Sequence, residues 1–193
     1  RTDLNNWRTS EHAINEILEV KHAQGAEGTF DWVESHNEAW LRLEAFINER
    51  LSIPGITLRE IDRLKKKSVM KRIFQEAGLR VARGAVVSTV QEAVRLAGDL
   101  GYPVILKPNE GVGAGGTHRV GGPGQLETVF AELRQDYMVE EFVEAPIVTY
   151  DGLADAAGNV VFENSLIYGE GLIEYAQGKD TFFFVSRRIP ERL

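Results

Sequence analysis

A lysine followed by a glycine-rich loop is the part of this chain whose residue types and spacing could do chemistry. Residues 101–117 read GYPVILKPNEGVGAGGT, so Lys107 ends an apolar run four residues before the first glycine of the loop. Glycines let a backbone approach phosphate oxygens and offer N–H donors to them, and an ammonium group adds a compact positive charge. Taken alone, the pattern fits a phosphate-binding loop and a mobile solvent turn equally well. The glycines of the loop are Gly111, Gly113, Gly115 and Gly116.

Two common glycine motifs fit this loop poorly. The phosphate loop G-x-x-x-x-G-K-[ST] is matched at Gly111, Gly116 and Thr117, but the lysine that would contact the phosphates is missing. Gly111, Gly113 and Gly116 also spell the dinucleotide motif G-x-G-x-x-G, which needs a helix to begin at its end. Residues 117–123 read THRVGGP, and their glycines and proline cannot continue a helix. A hairpin flap fits better, with PVILK running into the loop and THRV running back.

Two further groups of charged residues could serve the same ligand. Lys67 closes a run of three lysines, and such runs are ordinarily solvated helix ends. Glu140 and Glu141 are adjacent in the apolar stretch MVEEFV, which predicts a strand. Because adjacent strand residues point to opposite faces, only one of the two carboxylates can face a given pocket.

The elements that must position these groups follow from apolar periodicity and from turn signals. Gly78 stands where a glycine caps a helix, Ser88 and Gln91 form a predicted capping box, and Gly101 ends the helix after that box. The order of elements predicts an α+β fold with antiparallel strands around the glycine loop. We predict helices at 11–22, 31–51, 58–77, 89–100 and 124–135, and strands at 81–87, 103–107, 117–120, 137–143 and 181–186, with a hairpin over 147–168.

Composition excludes several classes of function. The 193 residues carry a net charge of −7, which disfavours nucleic acid as a partner, and they include no cysteine, so disulfides and thiolate metal sites are excluded. The four histidines are scattered, and no apolar run approaches the length of a membrane span. We expect a cytoplasmic protein without a membrane partner. The missing initiator methionine and the last residues, VSRRIPERL, predict an interior piece of a longer protein.

These motifs together resemble the ATP-grasp superfamily of carboxylate–amine and carboxylate–thiol ligases. The family pattern of a lysine opening a helix that ends in Ala-Gly is matched by Lys67 in KKKSVMKRIFQEAGL. The lysine-ended strand GYPVILKP, the glycine flap and the acidic strand MVEEFV follow in the family's order, over residues 67–162. TYDGL at 149–153 is most similar to biotin-carboxylase-like and carboxylate–amine-ligase-like members, and residues 32–55 look like the end of the domain that commonly precedes the grasp fold.

The resemblance implies a truncated ATP-grasp fold and a set of nucleotide contacts. It divides the chain into the end of a preceding domain (1–57), a lid subdomain (58–138) and the start of a C-terminal subdomain (139–193). By the resemblance, Lys107 and the loop glycines are expected to bind the ATP phosphates. Lys67 is expected to do the same, with Lys66 or Lys71 as alternatives if the match to the family motif is shifted along the chain. Adenine is read by Glu140 and by the backbone of Val143, and Glu141 lies outside the pocket or near the ribose. Where the family carries a ribose-binding carboxylate this chain has Ile147, so Glu144 or Asp151 is the candidate substitute.

Three further positions are expected to have structural roles only. We expect Phe142 and the run Phe182–Phe184 to be buried, and His118 to be an exposed strand residue.

The resemblance also implies an activity. ATP passes its γ-phosphate to a carboxylate or bicarbonate, and an amine or another nucleophile then displaces phosphate from the acyl phosphate. It implies Mg²⁺ as well, with ligands expected beyond Leu193, so the 193-residue chain is expected to be inactive alone. Two alternatives stay open, namely a non-catalytic nucleotide-binding module of the same fold and an NAD(P)-binding oxidoreductase domain. The latter requires a helix at 117–123.

Overall fold

The chain divides into two compact units, each described here by itself. The computed structural model describes residues 7–23, 30–111, 115–133, 136–169, 178, 180 and 182–186. The first unit comprises Arg1–Val81 and Glu110–Val112, and the second comprises Ala82–Asn109 and Gly113–Leu193. Helices and antiparallel sheets make up the described residues, which is the predicted α+β class. None of the described helices is both long enough and apolar enough to cross a membrane.

The first unit is helical in its described part. A 3-10 turn at Glu38–Trp40 leads directly into the second helix. Apolar side chains from the second and third helices and from the loop between them are buried, namely Ala45, Leu51, Ile53 and Ile61. The helices are α1 (Trp7–Ala23), α2 (Leu41–Leu51), α3 (Ile61–Lys65) and α4 (Lys67–Glu76).

The helix predicted over 31–51 begins later than the apolar spacing indicated. Asn37 has extended backbone (φ −134°, ψ 122°), and its side chain accepts a hydrogen bond from the Ala39 amide, so it caps the 3-10 turn. Upstream, the amide and hydroxyl of Ser35 both donate to the Glu44 carboxylate at 2.7 Å. These polar contacts satisfy the helix start and hold the preceding residues in a non-helical path.

The helix predicted over 58–77 is two helices. Lys66 breaks it with extended backbone (φ −89°, ψ 114°) and forms an isolated antiparallel bridge with Glu110. The bridge joins residues 44 positions apart, so helical periodicity could not reveal it. Gly78 has a φ of +80° after α4, as the predicted glycine cap requires.

The second unit contains a four-stranded antiparallel sheet with strand order β1-β4-β2-β3. Two helices pack on one face of this sheet, where a core of apolar side chains includes Val104, Leu106 and Val139. The elements are β1 (Gly84–Val87), α5 (Val90–Leu100), β2 (Val104–Pro108), β3 (His118–Val120), α6 (Pro123–Ala131) and β4 (Tyr137–Glu141).

The start of α5 differs from the sequence expectation, and the residues after the glycine loop decide between two predicted alternatives. The capping box of α5 is one residue later than predicted, because the Thr89 hydroxyl accepts from the Glu92 amide at 3.2 Å and the Glu92 carboxylate accepts from the Ser88 amide at 2.9 Å. Residues 118–120 form strand β3, and α6 begins only at Pro123. The helix at 117–123 that an NAD(P)-binding domain requires is therefore replaced by a strand, which contradicts that alternative.

A three-stranded antiparallel sheet, order β5-β6-β7, completes the described part of the second unit. Its strands are β5 (Asp151–Ala154), β6 (Val160–Tyr168) and β7 (Phe183–Ser186), and β5 and β6 form the predicted hairpin. The run Phe182–Phe184 was expected to be buried, but these rings are 62%, 57% and 52% exposed. The prediction was wrong because β7 lies at an edge of this small sheet.

Candidate functional site

The sheet of the second unit brings Lys107 and Glu140 together. Val104 and Leu106 lie in the core beneath the helices, so strand alternation places Ile105 and Lys107 on the opposite face. The register pairs Ile105 with Glu140 across β4, which puts Glu140 on that face as well. Lys107 Nζ lies 2.6 Å from Glu140 Oε2, and the two side chains are 24% and 5% exposed. The sequence predicted both residues as ligand groups but not this ion pair between them.

Gly84 makes room for the Glu140 side chain and was missed by the sequence analysis. It pairs with Glu140 across β1 and β4. A methyl group at Gly84 would lie 2.8 Å from both Cα and Cγ of Glu140 and would also clash with the Val139 carbonyl oxygen. A lone glycine within a predicted strand signals close backbone approach, and that signal was present in the sequence.

Glu141 faces away from Glu140, as adjacent strand residues must. Its carboxylate accepts from the Arg83 amide at 2.7 Å and from Arg83 Nε at 2.7 Å. The paired carboxylates of MVEEFV are therefore divided between two environments, one facing Lys107 and the other facing Arg83. This separation fits a position of Glu141 outside a pocket that Glu140 lines.

The segment after β4 carries two of the predicted nucleotide residues. Val143 is 59% exposed, and Glu144 is also exposed. Phe142, expected in the core, is only half-buried, and the Arg119 guanidinium lies 4.2 Å from its ring centroid. The core prediction was wrong because residues beyond Glu141 leave the strand, and the ring there stacks with a cation from β3 instead.

The strands on either side of the glycine loop form the predicted hairpin. β2 and β3 pair antiparallel, with Leu106 opposite His118. Gly116 has a φ of +71°, and a methyl group there would lie 2.8 Å from the Tyr137 hydroxyl and 3.1 Å from Pro108 Cγ. Gly115 is exposed in the same turn. The structure thus requires glycine at Gly116, whereas Gly113 lies outside the described residues.

The first unit brings Lys67 to the first glycine of the loop. The backbones of Lys66 and Glu110 form an isolated antiparallel bridge, so the residues that follow them run in opposite directions from it. The long side chain of Lys67 spans this separation, and its Nζ lies 3.5 Å from the Gly111 carbonyl oxygen. Lys67 also opens α4, as the resemblance implied for the family's first lysine.

Charged side chains surround this bridge, and the sequence analysis did not identify them. Arg42 Nε donates to Glu110 Oε1 at 3.0 Å, and Arg42 Nη2 contacts the same oxygen and donates to Asp62 Oδ1 at 2.9 Å. Lys66 Nζ donates to Asp62 Oδ2 at 2.7 Å. The Asp62–Lys66 spacing of four residues was the one local signal available.

These contacts lower the pKa of Asp62 and raise those of Lys66 and Arg42. The hydrogen bond from Lys66 and then that from Arg42 lower the pKa of Asp62 below its ordinary value. The hydrogen bond to Asp62 and its negative charge raise the pKa of Lys66. Both groups are therefore charged at neutral pH, and so is Arg42.

The remaining candidates are dispersed. Asp151 is exposed, and its carboxylate accepts from the Thr149 hydroxyl at 2.7 Å. Among the residues that the structure describes, no group of three or more His, Asp or Glu side chains is placed to hold a metal ion.

The chain is similar in sequence to a known protein family and to curated proteins. Residues 65–168 match the family model described as "Carbamoyl-phosphate synthase L chain, ATP binding domain". A biotin carboxylase from Nostoc sp. is 30% identical over 130 residues, which is 61% of this chain and 29% of the relative. The arginine-specific large chain of carbamoyl phosphate synthase from Bacillus subtilis is 26% identical over 157 residues, which is 80% of this chain and 15% of the relative. The chain thus spans less than a third of these two curated relatives.

Solved structures with the same fold agree with these matches. The biotin carboxylase domain of Hydrogenobacter thermophilus 2-oxoglutarate carboxylase, in complex with MgADP, ADP and bicarbonate, has a TM-score of 0.60 and 21% identity, covering 93% of this chain and 52% of its own. An L-amino acid ligase from Bacillus licheniformis has a TM-score of 0.63 and 20% identity, covering 84% of this chain and 41% of its own. The predicted ATP-grasp fold is confirmed, and the chain spans about half or less of these solved chains.

Proposed function

The chain belongs to the family of ATP-binding domains of the carbamoyl-phosphate synthase large chain, and from that premise we propose that it is the nucleotide-binding part of an ATP-dependent ligase. The observation that carries the proposal is that the matched residues 65–168 contain Lys67, Lys107, the glycine loop and Glu140. In the proposed reaction a carboxylate or bicarbonate oxygen attacks the γ-phosphorus of ATP, and the bond to ADP breaks. An amine or another nucleophile then attacks the acyl phosphate, and inorganic phosphate leaves.

Lys107 is the proposed phosphate ligand of the second unit. Its ammonium is three-quarters buried beside the Glu140 carboxylate at 2.6 Å, so it is held in one place rather than free to swing in water. Phosphoryl transfer depends chiefly on positioned positive charge, because little covalent chemistry is left for the protein to do. A carboxylate accepts from several donors, so the contact with Lys107 is compatible with a further hydrogen bond from the adenine amino group to Glu140.

Lys67 and the loop glycines are further proposed phosphate ligands. Lys67 reaches the Gly111 carbonyl in the first unit, and Gly115 and Gly116 follow in the second. Backbone N–H groups from glycines act as short-range donors to phosphate oxygens. The exposed backbone at Val143 is the proposed partner of the adenine edge, with Glu144 or Asp151 beside the ribose.

The domain division and the metal site are further parts of the proposal. We place the end of a preceding domain at 1–57, the lid subdomain at 58–138 and the start of the C-terminal subdomain at 139–193. Mg²⁺ is the proposed cofactor that accompanies ATP, and it would neutralise negative charge on the phosphates. The acid substrate is bicarbonate or a small carboxylate, its partner is a small nucleophile, and the cellular location is proposed to be the cytoplasm.

Calorimetric titration of the 193-residue chain tests the proposal. We expect ATP with Mg²⁺ to bind and NADH not to bind. Lys67→Ala and Lys107→Ala are each expected to weaken ATP binding by roughly 10- to 100-fold, the equivalent of one charged hydrogen bond. The matched control is Arg72→Ala, which removes one positive charge from α4 at a side chain that is 67% exposed. Equal binding of NADH, or ATP binding that ignores both lysines, would contradict the proposal.

An activity assay separates a ligase from a non-catalytic module. Phosphate release is measured on the full-length product of the gene, with ATP, Mg²⁺ and bicarbonate or small carboxylic acids. A ligase releases phosphate only when an acid is present. ATP binding without acid-dependent phosphate release would favour the module.

A further inference from the structure

Four charged side chains of the first unit form a connected network next to the residue that begins the glycine loop. We call Arg42, Asp62, Lys66 and Glu110 the anchor network. Arg42 bridges two carboxylates, with Nε 3.0 Å from Glu110 Oε1 and Nη2 2.9 Å from Asp62 Oδ1. Lys66 Nζ donates a hydrogen bond to the second oxygen of the same carboxylate, Asp62 Oδ2, at 2.7 Å. Three segments that are distant in sequence, namely α2, the α3–α4 junction and the start of the loop, therefore meet through charge.

The anchor network sits directly before the two phosphate-ligand candidates of this unit. Lys66 precedes Lys67, and Glu110 precedes Gly111, while Lys66 and Glu110 pair through their backbones. The side-chain contacts thus hold both strands of that isolated bridge. A single backbone bridge outside a sheet is weak by itself, since it lacks neighbouring ladder bonds. Lys67 and Gly111 each follow one residue of the bridge, and Lys67 Nζ lies 3.5 Å from the Gly111 oxygen.

We propose that the anchor network is a positioning device that sets Lys67 and the first loop glycine in place for the phosphates of ATP. This inference rests on the proposed function, because it assigns to these residues a role at the same nucleotide site. None of the four side chains needs to contact the nucleotide. Arginine suits the central position because its planar fork presents separate N–H groups to two carboxylates, which a lysine ammonium does with less directional control.

The exposure of the network indicates which property it controls. The side chains of Arg42, Asp62 and Glu110 are 35%, 40% and 33% exposed. Ion pairs at this exposure contribute little to global stability, since water and salt screen them. Misplacing a ligand group by about 1 Å can nonetheless cost around 100-fold in function. Loss of the network is therefore expected to change ATP affinity more than melting temperature.

The test measures both properties on matched variants of the full 193-residue chain. Arg42→Ala and Glu110→Ala are each expected to raise the Kd for ATP by roughly 5- to 20-fold and to shift the Tm by less than about 3 °C. The double variant is expected to bind no more weakly than the worse single variant, because both changes break one unit. Arg42→Lys is expected to fall between wild type and Arg42→Ala. Arg72→Ala, which removes an equal charge at a different place in the unit, is expected to bind ATP as wild type does.

A second measurement keeps this inference separate from the proposed function. Amide hydrogen exchange of Lys67, Glu110 and Gly111 is followed by NMR without nucleotide. Arg42→Ala is expected to accelerate exchange near the bridge roughly tenfold or more relative to Arg72→Ala. If wild type does not bind ATP, the proposed function fails and the exchange data alone decide whether the anchor exists. Variants that bind ATP within twofold of wild type, or exchange that is unchanged, would overturn the inference.

Discussion

Replacing Lys107 with methionine tests the buried charge pair on which the second unit depends. Lys107→Met keeps the length of the side chain but removes the ammonium that lies 2.6 Å from Glu140 Oε2. Glu140 is 4% exposed, so it loses this partner in a site that water barely reaches. Breaking a fully buried pair costs about 3–5 kcal/mol, and the 24% exposure of the Lys107 side chain reduces that figure to about 2–3 kcal/mol.

The companion variant removes both charges. Lys107→Met combined with Glu140→Gln leaves no charged group without its partner, so it is expected to cost about 1 kcal/mol or less. Lys107→Met alone is thus expected to lower stability more than the combined variant does. That inversion is specific to a buried pair, because two independent surface charges would give additive effects.

Amide hydrogen exchange followed by mass spectrometry is the suitable assay. The three tryptophans, at positions 7, 32 and 40, all belong to the first unit, so tryptophan fluorescence does not report on Lys107. A loss of about 2–3 kcal/mol is expected to accelerate exchange of the most protected amides in β2 and β4 roughly 30- to 150-fold. Unchanged protection in Lys107→Met, or a double variant that is worse than the single one, would refute the reasoning.

Three further predictions concern single residues, each followed by urea denaturation. Gly116→Ala is expected to lower the free energy of unfolding by about 1–3 kcal/mol, because the φ of Gly116 is +71° and the added methyl group would meet atoms at 2.8–3.1 Å. Gly98→Ala, at an open position on helix α5, is the control and is expected to raise the free energy of unfolding by about 0.5–1 kcal/mol. Equal effects of the two changes would count against the structure of the turn. Gly84→Ala is expected to lower the free energy of unfolding by about 1–3 kcal/mol and to weaken ATP binding, because the added methyl group would lie 2.8 Å from atoms of Glu140. An unchanged ATP affinity would argue that Glu140 does not belong to the nucleotide site. Since hydrogen bonds from Lys66 and Arg42 lower the pKa of Asp62, the stability that this carboxylate contributes is present above about pH 4 and is lost as the pH falls through its lower folded-state pKa. Asp62→Asn is expected to flatten the decline in stability below about pH 4, and an unchanged acid profile would argue against these ion pairs.

Local patterns were sufficient to predict the elements that carry strong signals. Apolar periodicity and a terminal glycine defined α5 up to Gly101, and the short apolar run before Lys107 defined β2. The order of a lysine-ended strand, a glycine loop and an acidic strand was enough to identify the family. Each motif lies within a short stretch of chain, and their order is read along the sequence, so none required knowledge of the tertiary contacts.

Contacts between distant residues explain what the sequence did not reveal. The break at Lys66 exists because its backbone pairs with Glu110, and nothing in the lysine run announces that partner. The approach of Lys107 to Glu140 depends on the register between β2 and β4, which is set by packing of the helix-covered face. Arg42 was missed for the same reason, since its two carboxylate partners lie 20 and 68 residues away.

A crystal structure of the chain with a non-hydrolysable ATP analogue is the most direct test of the central claim, which is that two lysines from separate parts of the sequence bind one triphosphate. The account predicts Lys67 Nζ and Lys107 Nζ each within about 2.7–3.2 Å of phosphate oxygens of the same nucleotide. A nucleotide bound elsewhere, or one of these ammonium groups turned to solvent while the analogue is bound, would contradict it.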